Sequence, residues 1–374
     1  MRIAILTNAF PPDARGGAGR IAGVYADLLK QHGHEIRVWG PKPKFRELGM
    51  MRVGSRSFFH LSDLSSEPTT VQQVVAWKPD VLLTHNLTGC GFGTPRAIRS
   101  KGIRWVHVLH DVQLIEPSGV IIAEESMPLM HAVWRRFWSS LRHAATKEPD
   151  AVASPTKWLL DFHQSFGWFK KCEATVIPNP VGVQFIAPVP SVGMPEGVMN
   201  HAPTSNVLFV GRLDWDKGID VLIDAWKNVH DVASKLVLIG DGSWKEKISQ
   251  LGDASIELRG QQLAEAVEQA MRESAVVAVP SRVLENQPTV ILEAASADCR
   301  IVAADVGGVS ETLGNAGWII PPDDVAALSS ALHEALTKQV TDEERRVRQD
   351  LVARHDPQLA VAALTGLLAS NLKT

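Results

Sequence analysis

Residues 275–294 read AVVAVPSRVLENQPTVILEA. The opening AVVAVP is an aliphatic run of strand length, and the pattern then changes so that Val290, Ile291 and Ala294 can share one side of a helix. Pro288 suits the first helical turn, where its missing N–H would be unpaired anyway. Strand, loop and helix in that order form one unit of an α/β sheet. Glu285 then lies in the loop and Glu293 five residues into the helix, roughly 7.5 Å along the axis at 1.5 Å per residue. Taken alone, such a pair reads first as a solvated loop acid and a surface helix acid. A single ligand that spans both carboxylates is the alternative, and the surrounding sequence has to separate the two.

The same alternation runs through the chain. In the first half the strands are read as 2–7, 35–40, 80–85, 105–110, 151–154 and 174–178, with helices between them such as 20–32. Near 183–205 the pattern breaks into VPSVGMPEGVMNHAPTS, rich in Pro, Gly and Ser, which reads as a linker. Strands resume at 206–211, 235–240, 255–260, 275–280, 300–305 and 317–322, and helices at about 323–337, 341–353 and 357–371 close the chain. The expected domains are 1–183, a linker at 184–205, and 206–356, with the last helix, about 357–374, packing back on the first domain. Ligands in doubly wound sheets bind beyond the carboxyl ends of the strands. The loops that follow each strand are therefore where function is sought.

Length and composition agree with two soluble domains: 374 residues, 45% hydrophobic and 21% charged. The start, MRIAILTNAF, has too short an apolar run for a secretory signal, and no segment approaches the roughly 20 apolar residues of a membrane span, so a cytoplasmic location is expected. Three separated cysteines, Cys90, Cys172 and Cys299, suit neither a disulfide framework nor a zinc site. Residues 1–180 hold 22 Lys+Arg against 15 Asp+Glu, a net +7, while the remainder holds 16 against 26, a net −10. The basic half is expected to meet something anionic. A single tyrosine and no RNA-binding aromatic motif argue against nucleic acid.

The loop after the first strand, NAFPPDARGGAGR (8–20), leads into a helix and lets backbone N–H groups approach an anion at Gly16, Gly17 and Gly19. It is too long for a nicotinamide fingerprint, and the second strand ends VWGPKPK without the acid such a site wants, so a dehydrogenase is disfavoured. GCGFG at 89–93 reads as a turn. In GRLDWDKG (211–218), Arg212 and Lys217 stand where two cations can neutralise a diphosphate. Asp214 and Asp216 form a D-x-D that could hold a divalent metal, but the spacing is common and Lys217 supplies charge next door, so no metal is expected. His110 ends a mid-domain strand, where a structural histidine is the commoner reading, and Asp111 beside it reads as surface. The stretch 131–147 fits a core-facing helix first and a membrane-surface helix second. Arg37, Lys42, Lys44, Arg46, Arg52 and Arg56, with Met50, Met51, Phe58 and Phe59, form either a solvated charged loop or a surface for a lipid-linked or anionic glycan at a membrane face.

The succession of a Gly-Gly loop, HD at 110–111, IPNPV (177–181), VGRLDWDKG, LIGDG (238–242), PSRVLENQPTVILEA and VAADVGGVSE (302–311) resembles the retaining GT-B glycosyltransferases grouped as family 4, over nearly the whole chain. The resemblance implies two Rossmann-like domains facing across a cleft, and transfer of a sugar from a UDP- or GDP-linked donor to a glycan, lipid-linked or small-molecule acceptor, with no cofactor. It assigns Glu293 to the ribose hydroxyls and Glu285 to the donor sugar. Arg212 and Lys217 fall to the diphosphate, Gly16 and Gly17 to the loop closing over it, His110 to the transferred sugar, and Arg259 and Gly260 to the nucleobase. Asn286, Pro288 and Thr289 complete the donor loop and helix start. Two positions depart from the pattern, Asn286 and Asp298, each where the family usually has glycine. A sugar-nucleotide epimerase of similar fold and a donor-binding protein without catalysis are the rivals, and the two glutamates with Arg212 and Lys217 fit transfer better than either.

Overall fold

The computed structural model describes residues 1–11, 17–41, 60–123, 129–180, 204–229 and 231–370. The linker, Gly16 and the basic cluster from Lys42 to Phe59 lie outside them. The chain divides into two compact units, Met1–Pro180 with Pro357–Thr374, and Val181–Asp356.

Unit 1 alternates β1 (Arg2–Leu6), α1 (Gly17–Gln31), β2 (Glu35–Trp39), α2 (Pro68–Trp77), β3 (Val81–Thr84) and α3 (Thr94–Arg99). It continues with β4 (Arg104–Val108), α4 (Leu129–Thr146), β5 (Ala151–Ser154), α5 (Lys157–Ser165) and β6 (Glu173–Val176). Among the described residues these strands form one parallel sheet in the order β2-β1-β3-β4-β5-β6. Parallel strands are covered on both faces. That is why β3 and β5 are buried at every residue, and why they read as unbroken apolar runs.

Unit 2 runs β7 (Thr204–Val210), α6 (Ile219–Trp226), β8 (Leu236–Ile239), α7 (Lys245–Gln250), β9 (Ile256–Gly260), α8 (Ala264–Arg272) and β10 (Ser274–Val279). Then come α9 (Thr289–Ser296), β11 (Arg300–Ala304), α10 (Val309–Leu313), β12 (Trp318–Ile320), α11 (Val325–Thr337) and α12 (Asp342–Arg354). Its parallel order is β12-β11-β10-β7-β8-β9. The winding direction reverses between β7 and β10, so the loops leaving these two strands diverge and leave a crevice beside each other. One is the 211–218 loop and the other carries Glu285.

All twelve strands read from the sequence are present, most ending a residue or two early where the loop turns away. After α12 the chain returns to unit 1 as α13 (Pro357–Ala369). Val361, Leu364, Leu367 and Leu368 join the core of Ile3, Ile5 and α1, each worth about 1.5–3 kcal/mol relative to exposure. Arg104 ties the end of α13 down through the Leu367 carbonyl (3.2 Å) and the Ser370 hydroxyl (2.7 Å).

Helix α4 departs from its first reading. Arg135, Trp138 and Arg142 face the protein, whereas Met130, Val133, Trp134 and Phe137 face outward. The reason lies beneath the helix. Arg142 donates to the Gln113 carbonyl and sits 4.6 Å from the Phe92 ring centroid, while Arg135 donates to Glu116 at 3.3 Å. Burial lowers the Arg142 pKa to about 10, a shift that Asp63, Glu116 and Asp111 oppose.

Candidate active site

The 211–218 loop of unit 2 is held from several sides. Gly218 begins α6 at φ +70, and a Cβ there would collide with the Pro280 carbonyl. The loop from β7 therefore lies directly against the loop from β10. Arg212 is shared between Asp214 Oδ2 (2.6 Å) and Asp216 Oδ2 (2.5 Å). Asp214 Oδ1 in turn accepts from the Ser243 N–H and hydroxyl, both at 2.8 Å. The Ser243 N–H, acting against burial, and then the Ser243 hydroxyl and Arg212 hold the Asp214 carboxyl below the usual carboxylate range. The D-x-D pair thus fixes the guanidinium.

Lys217 Nζ lies 2.5 Å from Glu285 Oε1, which also accepts from the Ser281 hydroxyl at 3.0 Å. An ammonium has three donors, so one bond to Glu285 leaves two N–H groups for another acceptor. Glu285 is fixed by its backbone as well. Its carbonyl accepts from the Gly308 N–H at 2.7 Å, and Gly307, at φ +67, packs so close to it that a Cβ would collide.

Arg282 is the residue that sequence reasoning missed. It is buried, its Nη groups hold both Asp220 oxygens at 2.6 and 2.9 Å, and its Nε donates to Asp323. Nη1 also reaches the Trp215 carbonyl at 2.5 Å, the guanidinium lies 4.5 Å from the Trp215 ring centroid, and the backbone N–H of Arg282 donates to the Asp216 carbonyl at 3.0 Å. One residue, through side chain and backbone, therefore locks the turn that presents Lys217. The lone arginine in PSRVLEN carries no periodicity that would reveal this.

Pro288, read as the start of the helix, is instead the N-cap of α9, and Thr289, one residue later, is its first residue. Asn286, Gln287 and Glu293 are buried, so Glu293 is not the surface acid of the simple reading. Gln287 Nε2 pairs with His355 Nε2 at 3.0 Å. At the end of β9, Gly260 has φ +67, while the Arg259 side chain donates to Glu257 at 2.8 Å. Asp298, in place of the usual glycine, takes the left-handed φ of +58 and accepts from the buried Arg348 at 2.6 and 2.9 Å. Asp298→Ala is expected to cost about 1–2 kcal/mol through backbone strain and a stranded guanidinium. That is a melting midpoint roughly 3–6 °C lower, and an unchanged midpoint would remove this role from Asp298.

In unit 1 the loops after β1 and β3 flank the corresponding reversal. Gly17 opens α1, and a Cβ there would meet nothing within 4 Å among the described residues. His110 Nε2 lies 2.7 Å from His85 Nδ1, with ring centroids 5.0 Å apart. Burial pushes the His110 pKa down to about 4, which leaves the ring neutral near pH 7. Asp111 is partly buried rather than on the surface, and it accepts from Asn86 Nδ2 (2.7 Å) and the Gln113 N–H (2.8 Å). GCGFG is a turn closed by Asp63, which accepts from the Gly89 and Gly91 N–H groups at 2.8 and 2.9 Å.

Of the sequence-predicted residues, then, Lys217 and Glu285 are in direct contact, Arg212 stands on the same loop as Lys217, and Glu293 is on the helix that follows Glu285. Arg259 and Gly260 end a neighbouring strand, and His110 belongs to unit 1. Sequence reasoning also passed over His85, Ser243 and Ser281.

Residues 15–185 match the model for Glycosyltransferase Family 4, and residues 204–338 the model for Glycosyl transferases group 1. The phosphatidyl-myo-inositol mannosyltransferase of Mycobacterium leprae is 32% identical over 178 residues, 46% of each chain. Among solved structures, sucrose-phosphate synthase from Thermosynechococcus elongatus aligns over 98% of both chains with a TM-score of 0.73 at 17% identity. Anabaena Alr3699/HepE, solved in complex with UDP and glucose, aligns over 99% of this chain and 100% of its own, with a TM-score of 0.66 at 19% identity.

Proposed function

We propose that this chain, which belongs to the GT-B glycosyltransferases of the group 1 and family 4 type, moves a hexosyl group from a UDP- or GDP-linked sugar to a glycan or lipid-linked acceptor, retaining anomeric configuration and using no metal. The observation that carries the reading is the Lys217–Glu285 pair at the β7/β10 reversal. Glu285 Oε2 makes no hydrogen bond among the described residues and suits a sugar hydroxyl. The two remaining Lys217 donors suit a diphosphate oxygen, and Arg212 adds a second cation on the same loop. Glu293, buried on α9, takes the ribose hydroxyls in this reading, and the amino end of α9 behind Pro288 and Thr289 favours the anion between them. The dipole of so short a helix is a minor contribution beside the two cations.

Catalysis is then mainly electrostatic. As the anomeric carbon gains positive charge, Lys217 and Arg212 hold the departing nucleoside diphosphate. Retention follows from attack on the same face, with the leaving phosphate taking the acceptor's proton. In unit 1 His110, which the family resemblance assigns to the transferred sugar, is kept neutral by burial and is placed by His85. Asp214 spends both oxygens, and Asp216 one, on Arg212 and Ser243, which supports a metal-independent reaction. The UDP bound by Alr3699/HepE, at this level of likeness, supports the choice of donor only as a candidate to try first.

The test is a panel of UDP-, GDP- and ADP-sugars. The expected outcome is that one nucleoside diphosphate is released with transfer or slow hydrolysis, and that the same diphosphate raises the melting midpoint. At 100 times its Kd, a ligand selective for the native state adds about 2.7 kcal/mol. Recovery of an epimerised donor, or tight binding with no turnover on any donor, would overturn the proposal.

A further inference from the structure

We propose that the outward face of α4, together with the aromatic surface of α5 beside it, docks this protein on an anionic lipid bilayer. A surface helix ordinarily turns its apolar stripe toward the core. Helix α4 packs through Trp138, Ser139 and Arg142, and leaves Met130, Val133, Trp134 and Phe137 exposed by 76%, 60%, 45% and 51%. Their spacing puts all four on one side of the helix. The fold does not need them there, since the buried side of α4 is already filled.

The surface is continuous. The Trp134 and Phe137 rings lie 6.3 Å apart, and both rest on Trp138 at 5.5 and 5.8 Å. Arg136 lies 5.8 Å from the Phe166 ring centroid at the end of α5, and from there Phe162 and Trp158 follow at 5.4 Å each. At the other end the plate runs into a cavity of about 480 Å³, whose apolar lining is Val120, Ile122, Met130 and Trp134.

Charge identifies the occupant. Residues 116–171, which span the plate and the cavity, hold seven Lys+Arg and six Asp+Glu; Glu116 pairs with the inward-turned Arg135 at 3.3 Å, and Glu124 and Glu125 lie outside the described residues. Among the described residues of this stretch Arg136, Lys147, Lys157, Lys170 and Lys171 are exposed, and Asp161 is the one exposed acid. A second copy of this chain would bring like charges together. An anionic leaflet offers opposite charge to the cations and an interfacial layer in which Trp and Phe lie with one side out of water.

The experiment is flotation of the full chain with vesicles of phosphatidylcholine alone, or of phosphatidylcholine with phosphatidylglycerol. The expected result is flotation with the anionic vesicles, weakened by salt and much weaker with neutral ones. Trp134→Ser/Phe137→Ser should lower the bound fraction about tenfold or more. Arg136→Glu, which reverses one charge, should lower it by roughly tenfold as well. Leu263→Ser, an exposed leucine in unit 2, should change nothing. These side chains are on the surface, so matching melting midpoints establish that the variants fold. No flotation on either vesicle, equal binding to both, or undiminished binding by the aromatic double variant would overturn the proposal. So would a dimer that the double variant dissociates in the absence of vesicle binding, since that assigns the face to a second copy. No sugar donor enters this measurement, and its outcome is independent of the transfer reading.

Discussion

Lys217→Ala is expected to lower kcat by about two to three orders of magnitude, the usual loss when one preorganised donor to a developing anion is removed. The side chain is partly exposed and its truncation creates no core cavity, so the melting midpoint should move little. The loss should fall on kcat as well as on kcat/KM, because the diphosphate carries more negative charge on departure than in the bound donor. Glu285→Ala should be comparably damaging for a different reason: it removes the sugar contact and releases the Lys217 ammonium from its 2.5 Å partner. The double variant should then be little worse than the poorer single one, since each residue positions the other. Steady-state rates of all three, with the donor found in the panel, check this. Activity within threefold of the parent in either single variant would remove the pair from the reaction.

Arg282→Met should have the largest effect on stability. Four of the five guanidinium N–H groups are accounted for by Asp220, Asp323 and the Trp215 carbonyl. Breaking a fully buried pair costs about 3–5 kcal/mol. Asp220 and Asp323 keep some contact with water, which reduces the expected loss to about 2–4 kcal/mol, or a midpoint drop of roughly 5–15 °C. Methionine preserves much of the volume, so the change reports the charge and its hydrogen bonds rather than a cavity. Because the Arg282 guanidinium also holds the Trp215 carbonyl, the turn bearing Lys217 should loosen, with only the backbone bond from residue 282 to the Asp216 carbonyl retained. The stabilisation given by a saturating nucleoside diphosphate should shrink with it. A midpoint within 2 °C of the parent would show that the loop holds its shape without this clamp.

The architecture was legible because parallel strands, covered on both faces, leave unbroken apolar runs such as AVVAVP and VLLT, and because glycine and proline mark their ends. The loop residues were legible as an ordered set of motifs, of which Lys217 and Glu285 proved to be in contact. Arg282 was not legible, since its partners Asp220 and Asp323 lie 62 and 41 residues away and only the strand order brings them together. Helix α4 failed for another reason. Trp134, Phe137, Trp138 and Leu141 recur at the same helical period whether they face core or solvent, and of these Trp138 is buried while Trp134 and Phe137 are exposed. Arg142 faces inward because its partners, the Gln113 carbonyl and the His60 ring, come from distant stretches of the chain.

The return of α13 to unit 1 has a consequence for how the protein is made. Ribosomes release chains from the amino end at about 5–20 residues per second. The six-stranded sheet of unit 1 therefore waits roughly ten to thirty seconds, while unit 2 is translated, before Val361, Leu364 and Leu368 arrive to cover Ile3 and Ile5. For that interval the nascent protein carries an uncovered greasy seam on its older half. Whatever shields the seam in the cell, whether a chaperone or a transient local collapse, has to let go before the last helix can take its place.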